Sequence, residues 1–235
     1  MNLILLFADD FVDDGHARLT GRRLRHVTDV HRAAVGDTLT VGVANGGIGR
    51  GEVLRLDDDA LELRVVIDRE PPAKLPLTLV LALPRPKVLN RVIASATSMG
   101  VARICLINAW RVEKSYWHSP RLQEENLTLQ RVLGLEQARD TLLPSITTHR
   151  LFRPFAEQEL PAIIEGSRAL VAHPMADTEC PRSVEEAVTL AIGPEGGFIE
   201  AEVESLRRVG FVPVSIGARI LRVETAVAAI IARLF

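Results

Sequence analysis

The sequence predicts an α/β protein: a mainly parallel sheet covered by helices on both faces, preceded by a small β-barrel. Three observations lead there. From residue 77 onward, short apolar runs alternate with stretches of helical periodicity, the pattern of parallel strands joined by crossover helices. Between Val35 and Val66, strand signals follow one another with only turns between them. Between these regions, Glu70-Pro71-Pro72-Ala73-Lys74 fits neither period and reads as a linker. The expected organisation is a β-barrel domain over residues 1–70, a linker at 71–76 and an α/β domain over 77–235.

Taken in order, Leu3 to Phe7 is apolar and strand-like, and Asp9, Asp10, Asp13 and Asp14 make an acidic, loop-like step. A basic span follows, holding His16, Arg18, Arg22, Arg23, Arg25, His26, His31 and Arg32. It reads either as a solvated helix face or as a patch in which arginine forks meet phosphate oxygens. Thr38 to Val43, Gly51 to Leu56 and Leu61 to Ile67 are the strand signals, separated by turns at Gly46-Gly47 and Asp57-Asp58-Asp59. Leu77 to Leu83 is an apolar run apart from Thr78, as a strand buried on both faces should be, and Pro84-Arg85-Pro86 stops it. Val88, Leu89, Val92, Ile93, Ala96 and Met99 recur at helical spacing up to Gly100. Ile104 to Ile107 is the next strand. Ser119-Pro120 and Glu124-Glu125 supply a cap, a first-turn proline and first-turn acids for a long helix ending before Pro144. Strands at Ser145 to Thr148 and Ala169 to Ala172, with a helix between, continue the alternation.

Composition limits the function classes. With 47% hydrophobic and 25% charged residues the chain reads as a folded soluble protein, and no run approaches the roughly 18 apolar residues that cross a bilayer. The absence of a leader pattern sets an expectation of the cytoplasm. Cys105 and Cys180 have neither C-x-x-C spacing nor partnering histidines, so both are expected to be reduced and structural, with no metal bound. A net charge of -2 argues against a protein that coats nucleic acid along its length. Any RNA contact must be local.

The candidate site lies between Leu190 and Ala226. It reads as strand, glycine turn, helix, strand, second glycine turn and the start of the last helix, with both loops at the same end of neighbouring strands. Gly193, Gly196 and Gly197 remove Cβ atoms where backbone must turn or approach a ligand, Pro194 fixes one φ, and Gly217 serves the second loop. Ala201 to Gly210 is a short helix with Val203 and Leu206 on its buried side. Arg219, Arg222 and Glu224 crowd the second turn beside apolar elements, where an unpaired charge is costly. Neither loop carries the Gly-Lys-Ser/Thr of a P-loop or the dinucleotide glycine spacing, which disfavours a polyphosphate ligand.

The run GPEGGFIEAEV, followed after one helix and strand by SIGARILRVETA, closely resembles the RsmE family of ribosomal RNA methyltransferases in the SPOUT superfamily. His26, Val30, Arg32, Gly36 and Asp37 fit the same family's amino-terminal pattern, with His31 where it usually has leucine. The resemblance implies a trefoil-knotted α/β domain that binds S-adenosylmethionine, an RNA-binding PUA-like β-barrel, and methylation of N3 of one uridine in 16S rRNA of the small ribosomal subunit. Cofactor contacts would then come from Gly193, Glu195, Gly196 and Gly197, from Ile216, Gly217, Ile220 and Leu221, and from a third loop bearing His173. Arg22, Arg23, Arg25, His26 and Arg32 become the RNA-contact candidates.

Uracil N3 carries a proton and attacks a methyl group only once that proton leaves. Glu224, the only carboxylate of the second loop, is placed to accept it or to orient an arginine, while Arg222 and Arg219 stabilise charge on the uracil oxygens. Arg222 and Glu224 also read as an ion pair that merely tightens the turn. Ser95 and Ser98 stand where the family has charged residues, Asp140 where it has arginine and Ile199 where it has a capping serine. These departures leave two other readings open: a SPOUT methyltransferase acting on transfer RNA or another ribosomal site, and an RNA-binding protein that has lost catalysis. Finally, Thr225 to Phe235 holds a single charge, Arg233, so the last helix needs cover on more than one side. The family favours a homodimer with Ile231 at its interface; burial by the chain's own elements is the alternative.

Overall fold

The structure is a computed structural model, and it describes residues 2–235. Two compact units divide the chain: residues 1–73 together with Val132–Leu143, and Lys74–Arg131 together with Pro144–Phe235. The segment 70–74 has no regular structure, as its prolines require.

The first unit is built on a six-stranded sheet. Its strands are β1 (Ile4–Leu6), β2 (Phe11–Asp13), β3 (His16–Leu19), β4 (Thr38–Val43), β5 (Ile48–Leu56) and β6 (Leu61–Arg69). They form an open row in the order β1-β4-β5-β6-β3-β2, antiparallel except where β1 lies parallel to β4. Ile4, Leu6, Leu19, Val41, Val53, Leu61 and Leu63 close its core. The basic span divides between β3, α1 (Gly21–His26) and a wider π turn over Val27–His31, so it is not one helix face.

The second unit holds six parallel strands: β7 (Leu75–Ala82), β8 (Val101–Ile107), β9 (Ser145–His149), β10 (Arg168–Ala172), β11 (Val188–Ile192) and β12 (Val212–Val214). Their order is β12-β10-β11-β7-β8-β9, every ladder parallel. All five residues of β11 are buried, with Leu190 opposite Leu79 on one side and Leu170 on the other. That accounts for its largely apolar run, in which the one polar residue, Thr189, shares a hydrogen bond with the Ser167 hydroxyl. β7, β8 and β9 step outward in one direction and β10 to β12 lie in the other, so the topology reverses between β7 and β11. In open α/β sheets a ligand cleft forms at such a reversal, beyond the carboxyl ends of the strands.

Helices cover this sheet. Helix α2 (Pro86–Ser98) buries Leu89, Val92, Ile93 and Ala96, the positions its periodicity marked. The long helix α3 runs from Glu124 to Ala138, and its last turns from Val132 pack with the first unit. Ser119 does not cap it: its hydroxyl accepts the Arg121 N–H and closes a short 3-10 turn over Pro120–Leu122 instead. Between β9 and β10 lie α4 (Phe152–Pro154), a π turn and α5 (Leu160–Ile164). Then come α6 (Glu200–Arg208) and α7 (Val223–Leu234).

Two expectations are corrected. The strands that carry the glycine loops are not neighbours, because β10 lies between β11 and β12. Ile231 does not stand free for a partner chain: it is 1% exposed within its own unit, with Val223, Val227, Ile230 and Leu234. The apolar periodicity of α7 was filled largely by its own core.

Candidate active site

At the carboxyl ends of β7, β10, β11 and β12 opens a cavity of about 1140 Å³. Because β10 is the middle strand, His173 stands between the two glycine loops, and its N–H extends the ladder to the Val214 carbonyl at 2.9 Å. The cavity wall includes His173, Gly193, Glu195, Gly196, Gly197, Ile216, Gly217, Arg219, Ile220, Leu221, Arg222 and Glu224. All the residues singled out for cofactor and chemistry are therefore brought together.

Backbone crowding explains the first loop. A Cβ on Gly193 would fall 2.7 Å from the Phe198 nitrogen, closer than real side chains come, and Gly197 turns back at φ +72°. Gly196 differs, since a Cβ there meets only the flexible Arg111 side chain. The loop is clamped from two sides. The Arg85 N–H donates to Glu195 Oε1 at 2.9 Å, and the Arg111 guanidinium donates to the Gly196 carbonyl.

Behind this loop stands Glu202, on α6 and 6% exposed. Its carboxylate accepts the Ile199 N–H at 3.0 Å and the Trp110 N–H at 2.7 Å. Ile199 offers no capping oxygen, so the carboxylate three residues on satisfies the helix entrance and also favours the positive end of the helix dipole. This compensates for the serine that the sequence lacks.

The second loop presents charge. Arg222 precedes α7 in extended backbone and Glu224 is the second helical residue, so the two side chains diverge and no ion pair joins them. Glu224, 23% exposed, faces Arg91 of α2 at 3.8 Å instead. Among the described residues neither Arg219 nor Arg222 has an ion-pair partner. Their guanidinium groups are available to a ligand. The cavity also draws on Arg85, Lys87, Arg91 and Arg121, setting six cationic side chains against the carboxylates of Glu195 and Glu224. Those four cations were missed in the sequence. The run Pro84-Arg85-Pro86-Lys87 at the end of the unit's first strand was the available signal, since a strand's carboxyl end opening a helix is where sites form.

The amino-terminal basic residues fare differently. Arg22 grips Glu136, which is 0% exposed, through two hydrogen bonds of 2.9 and 3.1 Å. Arg23 holds both oxygens of Asp10 and the Leu5 carbonyl. His26 is half-buried; burial first, then nearby cationic groups, hold its pKa below the usual imidazole value. Arg25 and Arg32 are exposed. Asp140, the odd residue at the expected arginine, is buried and accepts the Thr141 and Leu142 N–H groups at 2.6 and 3.0 Å, closing the loop after α3. Ser98 donates to the Ser95 carbonyl at 2.8 Å. Among the described residues no group of three metal-ligating side chains converges, and no helix is long and apolar enough to cross a membrane.

Comparison with known proteins points to one group. A family model for the RNA methyltransferase domain matches residues 71–235. Ribosomal RNA small subunit methyltransferase E of Treponema pallidum is 30% identical across 96% of this chain and 88% of its own length. The Synechocystis protein of the same name is 27% identical across 94% of this chain and 73% of its own. Among solved structures, ribosomal RNA small subunit methyltransferase E from Neisseria gonorrhoeae, bound to S-adenosyl methionine, superposes with a TM-score of 0.75 at 20% identity, covering 98% of this chain and 95% of that one.

Proposed function

We propose that this chain, which belongs to the RsmE family of ribosomal RNA small subunit methyltransferases, uses S-adenosylmethionine to methylate N3 of a uridine in 16S rRNA. The observation that carries this reading is the convergence of both glycine loops, His173, Arg219, Arg222 and Glu224 on one cation-rich cavity.

The residues fit the cofactor. Gly193, where a Cβ would strike the Phe198 nitrogen, and Gly197, at φ +72°, hold a tight backbone turn in the cavity wall, and Ile192, Val214, Ile216 and Leu221 supply apolar walls for a flat ring. When bound, S-adenosylmethionine supplies the electrophilic methyl group. Gly193, Glu195, Gly196, Gly197, Ile216, Gly217, Ile220, Leu221 and His173 are assigned to holding it.

The protein's own tasks are alignment and making N3 nucleophilic. Glu224, with the Arg91 guanidinium 3.8 Å away, takes the N3 proton. Arg222 and Arg219, free of carboxylate partners, stabilise the charge that moves onto the uracil oxygens as N3 ionises. Such donors act most strongly where water is scarce.

The finer architecture belongs to the same proposal. Residues 77–235 are read as a trefoil-knotted SPOUT domain, although Val132–Leu143 belong to the first unit, and residues 1–70 as a PUA-like barrel that contacts RNA, joined by a linker at 71–76 whose last two residues already open β7. Arg25 and Arg32 are the members of the basic span with exposed charge to offer phosphate; Arg22, Arg23 and His26 would support the surface from behind. A cytoplasmic homodimer is the assembly proposed. Ile220, Leu221 and Phe235, exposed at the two ends of α7, support it better than Ile231 does. Calorimetric binding of S-adenosylmethionine, with mass mapping of methylated nucleotides in rRNA from a deletion strain, tests the function. A wild-type protein that binds no cofactor, or a strain whose 16S rRNA keeps every methyluridine, refutes it.

A further inference from the structure

The chain has two tryptophans, and the fold treats them oppositely. Trp117 is buried, its indole N–H donates to Asn108 Oδ1 at 2.9 Å, and the Arg150 guanidinium lies over its ring at 5.7 Å. Every surface of that ring is used. Trp110 is 79% exposed, and no hydrogen bond or ring contact of its indole is formed among the described residues. Yet its backbone is pinned, because its N–H ends on the buried carboxylate of Glu202. The fold thus fixes where this ring stands while leaving its faces open to a ligand.

Its surroundings indicate what the ring meets. Trp110 follows the carboxyl end of β8, and the next residue, Arg111, donates to the Gly196 carbonyl of the first glycine loop. The same segment then carries exposed Lys114 and returns to the cavity, whose wall includes Tyr116 and Arg121. Across residues 110–121 the sequence WRVEKSYWHSPR sets three arginine or lysine side chains against one carboxylate, Glu113. Cations that track a backbone, interleaved with a free aromatic face, are what single-stranded nucleic acid requires. A protein partner would instead want an apolar patch, and Trp110 has charged neighbours.

We infer that Trp110 is a stacking platform for a nucleotide flanking the target uridine, with Arg111, Lys114 and Arg121 receiving the adjoining phosphates. This inference rests on the RNA-methyltransferase reading and names how that site holds its substrate strand. Sequence-specific RNA recognition works on unstacked bases, and a base turned into the cavity leaves its neighbour without a stacking partner. Trp110, held by Glu202 behind the first glycine loop, replaces that partner.

The test uses the full chain and a short single-stranded oligouridylate. Titration should quench tryptophan emission in wild type but not in Trp110→Phe, where only Trp117 reports. By anisotropy of a labelled oligouridylate, Trp110→Ala should weaken binding roughly 5- to 150-fold while Trp110→Phe stays within a few-fold of wild type. S-adenosylmethionine affinity should be unchanged in both, which also shows that they are folded. Lys114→Ala should reduce the slope of log affinity against log salt by about 0.7. Unchanged oligouridylate affinity in Trp110→Ala overturns the inference. So does a fall in oligomeric state by light scattering in that variant without loss of RNA affinity, which would make the ring a contact between copies. The titration needs no catalysis, so it decides the platform separately from the activity: methylation absent in wild type refutes the enzyme reading, whereas normal methylation by Trp110→Ala with an unchanged KM for RNA refutes only the platform.

Discussion

Replacing Glu202 with alanine should damage the cofactor loop from behind without touching the cavity wall. One carboxylate, 6% exposed, accepts two backbone N–H groups at 3.0 and 2.7 Å, one at the entrance of α6 and one on Trp110. Hydrogen bonds to a charged group contribute about 1.5–3 kcal/mol each, and a donor left unpaired in a buried place costs more than one that water reaches. Ile199 is half-buried and Trp110 exposed, so water recovers part of the loss. The expected cost is about 2–4 kcal/mol, including the favourable placement of a carboxylate at a helix amino end. For a unit of this size that corresponds to a fall in Tm of roughly 5–15 °C. Both tryptophans, Trp110 and Trp117, lie in the second unit, so intrinsic fluorescence reports its melting separately from that of the first. Affinity for S-adenosylmethionine should fall as well, because Ile199 follows directly on the loop that ends at Phe198. Glu202→Gln, with one acceptor oxygen in place of two, should land between wild type and alanine. A variant that melts within a degree or two of wild type and binds cofactor normally would refute the reasoning.

Gly193→Ala should abolish cofactor binding by driving the loop away from Phe198, while Gly196→Ala, which displaces only the Arg111 side chain, should weaken it modestly; calorimetry on both separates backbone crowding from a general sensitivity of the loop. Arg222→Ala and Glu224→Gln should each lower kcat by about 10²–10³ with S-adenosylmethionine affinity preserved, and a variant with full turnover loses its assigned role. Arg22→Ala should cost about 3–5 kcal/mol, read by urea unfolding of the first unit, since it strands the buried Glu136 carboxylate; Arg25→Ala and Arg32→Ala should leave stability alone and weaken RNA binding. Burial pushes the Cys105 and Cys180 thiols up, so a disulfide reagent near neutral pH should label neither until the chain unfolds, and rapid labelling of the native protein would contradict their placement.

Elements with a strong period were legible. The apolar run of β7 and the amphipathic spacing of α2 appear in the structure as read, because burial on two faces or on one stripe dictates which residues can stand there. Pairing order was not legible. Nothing in the residues of β11 and β12 says that β10 enters between them, since parallel strands of similar apolar content exchange neighbours without changing their sequences. Charge partners were invisible for the same reason. Arg22 and Glu136 are 114 residues apart in sequence, and their pairing depends on the last turns of α3 packing with the first unit. A basic run therefore looked like a phosphate surface when two of its arginines were holding carboxylates of their own unit, the buried Glu136 and the half-buried Asp10. Likewise, α7 looked short of cover because its sequence shows how much apolar surface it carries but not how much of it the core already takes.

The location of charge resolves an apparent conflict between the acidic balance of the chain and an RNA substrate. A net charge of -2 gives little general attraction to a polyanion, and two amino-terminal arginines spend their charge internally. The cavity inverts that balance locally, with six cations against two carboxylates where the strands end. A field confined to a concave wall acts over about a Debye length, near 8–10 Å in physiological salt, so it grips the few phosphates beside the target and leaves more distant ones screened. Such a protein gains little from sliding along arbitrary RNA and most from a strand already presented open. Selectivity then rests on what fits the wall between the two glycine loops and on what stacks at its rim. The same reversal of strand order that makes the cleft also gathers Arg85, Lys87 and Arg91 from the start of α2 and Arg219 and Arg222 from the entrance to α7. Topology, more than composition, concentrates the charge.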